Sequence, residues 1–129
     1  MPAPASFDYV ILRIVPRVER QEFVNGGVVV FCFEKHYLAA RIHIDADRLK
    51  ALWPEIDPAL VRQHLEATVR ICEGDPEAGP IARLSQRERF HWLSSARSTI
   101  IQPSPVHTGV CDHTEGIVDR LAKQFLTIT

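Results

Sequence analysis

The segment FDYVILRIV (Phe7–Val15) is apolar on both of its faces, and this limits how the chain can fold. Its β-branched and aromatic residues are typical of a β-strand, which Pro16 ends. A strand that is apolar on both faces has to be covered on both sides, so we expect it at the centre of a sheet. Arg13 is the exception in the middle of this segment.

Two further strand patterns follow at short distances along the chain. FVNGGVVVFCF (Phe23–Phe33) contains Asn25-Gly26-Gly27 near its start, which indicates a bulge or the close approach of another backbone. Tyr37–Ile44 alternates between two faces, as the residues of a half-buried strand do. Because the connections between these three strands are short, an antiparallel meander is favoured.

Cap residues predict three helices in the middle of the chain. The first is short, with Asp45 or Asp47 as its cap, and ends at Pro54. The second starts at Asp57-Pro58 and ends at Gly74. The third runs from Gln86 to Ser94 after the capping box formed by Ser85 and Glu88.

The end of the chain adds a fourth strand and a last helix. Arg97–Gln102 predicts the strand, and Asp112–Glu115 resembles the N-terminal cap of a helix with an apolar stripe at Ile117, Leu121 and Phe125. The order β-β-β-α-α-α-β-α is typical of an α+β protein. We therefore expect an antiparallel sheet of about four strands with helices packed on one face, formed by one domain over 7–129 after a flexible N-terminus over 1–6.

Composition excludes several classes of protein. The formal net charge is −1, with 15 basic and 16 acidic side chains, which argues against a general nucleic-acid binder. The longest apolar run, Val28–Phe33, is too short to span a membrane, and the N-terminal residues do not resemble a signal peptide. The three cysteines have no paired spacing, so we expect free thiols in a reducing cytoplasm. No nucleotide- or dinucleotide-binding motif occurs, and no cofactor is predicted.

The segment RSTIIQPSPVHTG (97–109) is the best candidate for a binding site. An arginine can recognise phosphate or carboxylate through two N–H groups, hydroxyls add donors, and two prolines stiffen the loop. The candidate ligand-binding residues in this segment are Arg97, Ser98, Thr99, Ser104, His107 and Thr108. The alternative is a structural strand and loop whose polar side chains are hydrated or cap local turns. An anion site of this kind requires the loop to bring His107 back to Arg97.

Arg13 is a further candidate for the same anion site. A charge on a central strand has to be paired or to face a cavity. If Arg13 faces a cavity, it can join Arg97 in one basic site. The alternative is a buried ion pair with Glu22 or another carboxylate.

Three arrangements of potentially reactive residues near the end of the chain have weaker support. His107, Cys111 and His113 have an H-x₃-C-x-H spacing, but this is a poor chelate and no second Cys/His cluster exists, so no metal site is predicted. Cys111 with His107 lacks a recognisable oxyanion loop, and Ser104 with His107 lacks the context of a nucleophilic serine. No catalytic residues are therefore assigned.

Two blocks of sequence carry a resemblance to a known family. They are YVILRIVPRVERQEFVNGGVVVFC (Tyr9–Cys32) and ARLSQRERFHWLSSARSTIIQPSPVHTG (Ala82–Gly109). Together they resemble the bacterial domain-of-unknown-function family 3037, to which no activity is assigned. The resemblance implies a cytoplasmic bacterial protein. It also implies a companion, because such proteins in some bacteria lie beside or are fused to kinases resembling the HipA toxin kinase.

Two functional hypotheses follow. The favoured one is a small binding or regulatory module that partners a kinase-like protein or forms a homo-oligomer. The alternative is a small enzyme that acts on a phosphorylated or carboxylated ligand through Arg97 and His107. The first predicts an exposed apolar patch, and the second predicts a pocket that contains Arg97, His107 and a hydroxyl together.

Overall fold

The computed structural model describes residues 4–97 and 99–126. Within these residues the chain forms five strands and four α-helices. Their bounds are β1 Ala5–Ile14, β2 Val24–Cys32, β3 Tyr37–Ile42, α1 Ala46–Leu52, α2 Pro58–Glu73, α3 Gln86–Ser94, β4 Ile101–Pro103, β5 His107–Cys111 and α4 Ile117–Phe125. None of these helices is long and apolar enough to cross a membrane.

All strand pairs of the sheet are antiparallel, and β1 lies at its centre. The order is β3-β2-β1, and the far side of β1 is shared by two short strands. β4 pairs with Leu12–Ile14, and β5 pairs with Ala5–Tyr9. The α+β class, the antiparallel sheet and the central position of the first strand are confirmed.

The helices cover both faces of the sheet, which differs from the expected packing on one face. Alternate residues of β2 point in opposite directions, so Val29 and Phe31 belong to one apolar cluster, whereas Val28 and Val30 belong to another. The first cluster includes buried residues of α1, α2 and α3, and we call this side the helical face. The second includes buried residues of α4, and we call it the α4 face. The apolar character of both faces of β1 and β2 is the physical reason for two helical layers.

The predicted caps of α1, α2 and α3 are present. The side chains of Asp45 and Asp57 accept hydrogen bonds from backbone N–H groups of the first turns of α1 and α2, and Gly74 ends α2 in the left-handed conformation with φ 71°. Ser85 and Glu88 form both bonds of the capping box of α3. The last helix begins later than predicted, at Ile117, after Gly116 rather than after a side-chain cap within 112–115.

The glycine pair in β2 forms the predicted irregularity. Leu12 pairs with Gly27 and Arg13 pairs with Asn25, so Gly26 is the additional residue of a β-bulge. A Cβ atom at Gly26 would lie 2.5 Å from Cδ1 of Ile14. The close approach of the Ile14 side chain therefore explains why no side chain fits at this position.

Several boundaries differ from the sequence prediction, and β3 ends at Ile42 rather than at Ile44. Ala5 and Ser6 belong to β1 rather than to a flexible N-terminus. The fourth strand is limited to Ile101–Pro103 instead of Arg97–Gln102. β5 lies where a loop was predicted, because five residues that follow two prolines pair with the free edge of β1.

Candidate functional site

Arg97 lies after α3 on the helical face, and its guanidinium group binds to the protein's own backbone. It donates to the carbonyls of Ser95, at 3.3 Å, and of Trp92. It also lies over the Trp92 ring, with 4.3 Å between Cζ and the ring centroid. Partial burial lowers the pKa of Arg97, although an arginine stays charged at physiological pH. Two of the five N–H donors that an anion could use are therefore already directed at main-chain carbonyls.

The hydroxyl groups near Arg97 do not complete a site. Thr99 lines a shallow pocket together with Arg97, but its hydroxyl donates to the carbonyl of Ile101 at 2.8 Å. Ser98 lies outside the described residues.

Ser104 is buried at the edge of the sheet, between β4 and β5. Its hydroxyl accepts a hydrogen bond from the N–H of Ile11 at 2.9 Å and donates to the carbonyl of Pro105 at 2.9 Å. Its side chain is only 3% exposed, so a ligand has no access to it. The structure therefore places Ser104 in the backbone hydrogen-bond network.

His107 and Arg13 lie on the α4 face. The ring of His107 lies 5.4 Å from that of Tyr9, and Tyr9 belongs to the margin of the α4-face cluster. Arg13 lies over the ring of Phe23, with 4.3 Å from Cζ to the centroid, and does not form the ion pair with Glu22 that was the alternative to a cavity site. Within the described chain, Glu22 is paired with Arg20.

The predicted anion-binding residues are therefore divided between the two sides of the sheet. Arg97 and Thr99 lie on the helical face, whereas His107 and Arg13 lie on the α4 face. Thr108 points to the helical face, where its hydroxyl donates to Asp8 at 2.9 Å. No cavity can contain both Arg97 and His107, because the sheet separates them.

A different cleft lies on the helical face, between the N-terminal half of β1, the end of β2, and α3. We call it the α3 cleft, and its volume is about 350 Å³. The lining residues are Ser6, Asp8, Phe31, Phe33, Glu34, Arg87, Phe90, His91, Ser94 and Val106. The cleft lies beside α3, at the point where this helix no longer covers the sheet and the sheet continues towards β5.

The α3 cleft has an aromatic floor and charged walls. The rings of Phe31 and Phe90 are stacked with 5.2 Å between centroids, and Phe33 meets Phe31 edge-on at 6.4 Å. Arg87 lies over Phe33, with 4.2 Å from Cζ to the centroid. Because the walls carry carboxylates from two residues and an arginine, the cleft can bind a ligand that has apolar groups and charges of both signs.

A second depression lies along the exposed side of α3, next to the cleft. We call it the α3 groove; its volume is about 490 Å³, and it is lined by Leu84, Arg87, Glu88, His91, Trp92 and Ser95. Arg87 and His91 line both the cleft and the groove, because residues four apart lie on the same side of a helix. The cleft and the groove together form what we call the α3 surface.

The thiol groups do not contribute an activated nucleophile to this surface. Cys32, Cys72 and Cys111 are free and buried. Burial raises the pKa of Cys72 to about 12 and also raises that of Cys111, so both stay protonated at neutral pH. Among residues 4–97 and 99–126, no group of three or more His, Cys, Asp or Glu side chains could hold a metal ion.

The α3 surface was not predicted from the sequence. Its residues come from positions as distant as Asp8 and Val106, and only the pairing of β1 with β5 brings them together. No local signal marks them, because Phe33 lies within the predicted second strand and its exposure depends on where β2 ends.

Comparisons with known proteins identify a family but no characterised relative. No curated protein and no solved structure matches the chain. The family described as "Protein of unknown function (DUF3037)" matches residues 9–126, which is nearly the whole chain. On this match the chain belongs to the DUF3037 family.

Proposed function

We propose that this protein is a binding module that docks another protein on the α3 surface. The observation that carries the proposal is the distribution of exposed apolar side chains. Seven large apolar residues are exposed in the described part of the chain, and four of them line the α3 cleft or the α3 groove: Phe33, Leu84, Trp92 and Val106. Single exposed apolar residues are common, but a group on one surface is typical of a protein-binding site.

The polar groups of the α3 surface suit a protein partner. Asp8, Glu34 and Arg87 belong to none of the ion pairs among the described residues. Asp8 accepts a hydrogen bond from Thr108 and Arg87 stacks on Phe33, but the charges can still pair with a partner at the margin of an apolar contact, which is the usual arrangement of an interface. Tryptophan and arginine, here Trp92 and Arg87, are the residue types that most often dominate binding energy.

The proposed partner is a kinase resembling the HipA toxin kinase. Its support is the family resemblance, because such kinases lie beside or are fused to some members. The proposal places the module in the bacterial cytoplasm, and its three free thiols are compatible with a reducing compartment.

The alternative of a small enzyme acting through Arg97 and His107 has less support. Arg97 donates to main-chain carbonyls, and His107 lies across the sheet from it. An anion-binding pocket that uses both residues would require a rearrangement of the sheet edge. We therefore carry only the binding module forward.

The test is calorimetric titration of the purified module with a HipA-like kinase from the same bacterium. Phe33→Ser and Trp92→Ser should each raise the dissociation constant at least about tenfold, since both remove an exposed aromatic anchor. Leu60→Ser is the matched control, because Leu60 is exposed at the start of α2, outside the α3 surface. Absence of binding, or equal losses for all three variants, would contradict the proposal.

A further inference from the structure

Every second residue of β1 directs both its N–H and its C=O group towards the side of the strand where β4 and β5 lie. The N–H of Ser104 donates to the carbonyl of Ile11 at 2.8 Å, and the N–H of Ile11 donates to the Ser104 hydroxyl. Both backbone groups of Ile11 therefore point to this edge. Since consecutive residues of a strand point in opposite directions within the sheet, the backbone groups of Tyr9 and Phe7 also point to β5.

The opposite edge of β5 is open. Tyr9 and Phe7 pair with His107 and Gly109, so these two residues of β5 bond to β1. By the same alternation, the N–H and C=O groups of Thr108 and Val110 point away from β1. No described segment forms a hydrogen bond with these four groups.

Apart from the short length of β5, this edge also lacks the features that normally prevent strand pairing. Edge strands are usually protected by charged residues, prolines or a covering segment. The sequence of β5, HTGVC, has no Lys, Arg, Asp, Glu or Pro, and Val110 is 71% exposed. The other edge of the sheet is different, because Arg41 of β3 is paired with Asp119 of α4 at 2.8 Å.

We infer that the open edge of β5 pairs with β5 of a second copy of this chain, antiparallel and about a two-fold axis through Gly109. In this register Thr108 of each copy lies opposite Val110 of the other. The outward N–H and C=O groups of both residues are then satisfied by four hydrogen bonds across the axis. The two sheets become one continuous sheet, and the interface is the same on both subunits.

The side chains of β5 are complementary to themselves in this register. On the helical face, two β-branched residues, Thr108 and Val110, lie side by side, a favourable cross-strand pair. On the α4 face Gly109 meets Gly109 of the second copy, and no side chain obstructs the approach. The ring of Phe7 already covers Gly109, since a Cβ atom there would lie 2.5 Å from the Phe7 Cζ.

Charge also favours a second copy as the occupant of this edge. The charged residue nearest to the strand, Asp112, falls opposite Val106 of the second copy, so no like charges meet across the axis. This dimer shares Val106 with the α3 surface but not its aromatic residues, so variants at Phe33 and Trp92 test the kinase interaction and variants at Val110 test the dimer. Either proposal can fail without the other.

Sedimentation equilibrium of the full chain over the micromolar range tests the dimer. Val110→Pro removes an N–H that points away from β1, so the β1–β5 ladder is kept while a bond across the axis is lost. It should raise the dimer dissociation constant about tenfold or more. Val110→Lys, which adds a charge to a side chain that is already exposed, should do the same.

Leu60→Lys is the matched control, because it adds the same charge to an exposed apolar position outside β5. It should sediment like the wild-type chain. Circular dichroism establishes that the variants are folded, and Val110→Lys decides the question if Val110→Pro is not. A wild-type chain that stays monomeric throughout, or a Val110→Lys variant that dimerises like the wild type, would overturn the inference.

A cross-link tests the register. In the proposed dimer His107 lies opposite Cys111 of the second copy at a non-hydrogen-bonded position, where Cα atoms are roughly 4.5 Å apart and a disulfide can form. Oxidation of His107→Cys with copper phenanthroline should give a covalent dimer. The same variant with Cys111→Ser should not, and a dimer that persists without Cys111 would overturn the register. Within one chain the two positions are roughly 13 Å apart and cannot be linked.

Discussion

Ser104 and Ile11 exchange two hydrogen bonds, one through the backbone of Ser104 and one through its hydroxyl. The N–H of Ser104 donates to the carbonyl of Ile11 at 2.8 Å, and the Ser104 hydroxyl accepts from the N–H of Ile11 at 2.9 Å. The hydroxyl thus takes the place of a main-chain carbonyl where Pro105 interrupts the edge of the sheet. This one side chain keeps β1 bonded along the gap between β4 and β5.

Ser104→Ala should lower the free energy of unfolding by about 1–2 kcal/mol, because it leaves the N–H of Ile11 without its partner. The measurement is urea-induced unfolding followed by circular dichroism. Thr99→Ala is the control, since Thr99 is exposed and its hydroxyl bonds to the carbonyl of Ile101, only two residues along the chain. Equal midpoints for Ser104→Ala and the wild type would show that the hydroxyl does not complete the ladder.

The interrupted edge also shows which parts of the fold could be predicted from the sequence. β1, α2 and α3 were predicted well, since apolar periodicity and caps such as Asp57 and Ser85 act over a few residues. β5 could not be predicted from local sequence. Its five residues contain a glycine and follow Pro105, and they form a strand only because β1 offers an unpaired edge 100 residues earlier in the chain.

The candidate site was harder to predict than the fold, for a related reason. Arg97 and His107 are ten residues apart in the sequence, yet the sheet lies between them, because Arg97 precedes β4 on the helical face whereas His107 starts β5 on the α4 face. Conversely, Asp8 and Arg87 are distant in sequence and share the α3 cleft. Which residues share a cleft depends on strand order and register, and neither is encoded locally.

Arg89 is a buried charge that joins α2 to α3. Its guanidinium group donates to the carbonyls of Ile71 at 2.9 Å, Cys72 at 2.7 Å and Leu84 at 3.0 Å. Arg89→Met keeps most of the volume but leaves these carbonyls unsatisfied, so we expect a loss of about 3 kcal/mol in the free energy of unfolding.

Urea-induced unfolding of Arg89→Met should be compared with that of Arg87→Met. The two substitutions are chemically identical and lie in the same helix, but Arg87 is exposed and stacks on Phe33. Arg87→Met should change stability by less than about 1 kcal/mol, the usual range for an exposed site. Similar losses for the two variants would mean that the carbonyl bonds of Arg89 do not contribute to stability.

Leu121 anchors α4 on its face of the sheet. It is buried in the cluster that also contains Val28 and Val30 of β2. Leu121→Ala should cost about 2–5 kcal/mol, because it removes buried methyl groups and leaves a cavity. Lys123→Ala, an exposed substitution in the same helix, is the control for helix propensity. An unchanged unfolding midpoint for Leu121→Ala would show that α4 does not dock on the sheet in solution.

Cys72 should make the stability of the protein fall at alkaline pH. Burial raises the pKa of its thiol from the ordinary value of 9.0 to about 12 in the folded chain, while the nearby Arg89 acts in the opposite direction. Between these two values the unfolded chain loses the proton and the folded chain keeps it, so rising pH favours unfolding. The contribution of this thiol to stability is complete below pH 9 and decreases as the pH approaches 12.

The measurement is the free energy of unfolding by urea at a series of pH values, for the wild type and for Cys72→Ala. The two proteins share every other titrating group, so the difference between their curves isolates the thiol. This difference should be constant below pH 9, and the wild type should lose its advantage as the pH rises above that value. Parallel curves at alkaline pH would mean that the Cys72 thiol has an ordinary pKa in the folded chain and is not shielded from water between α2 and the sheet.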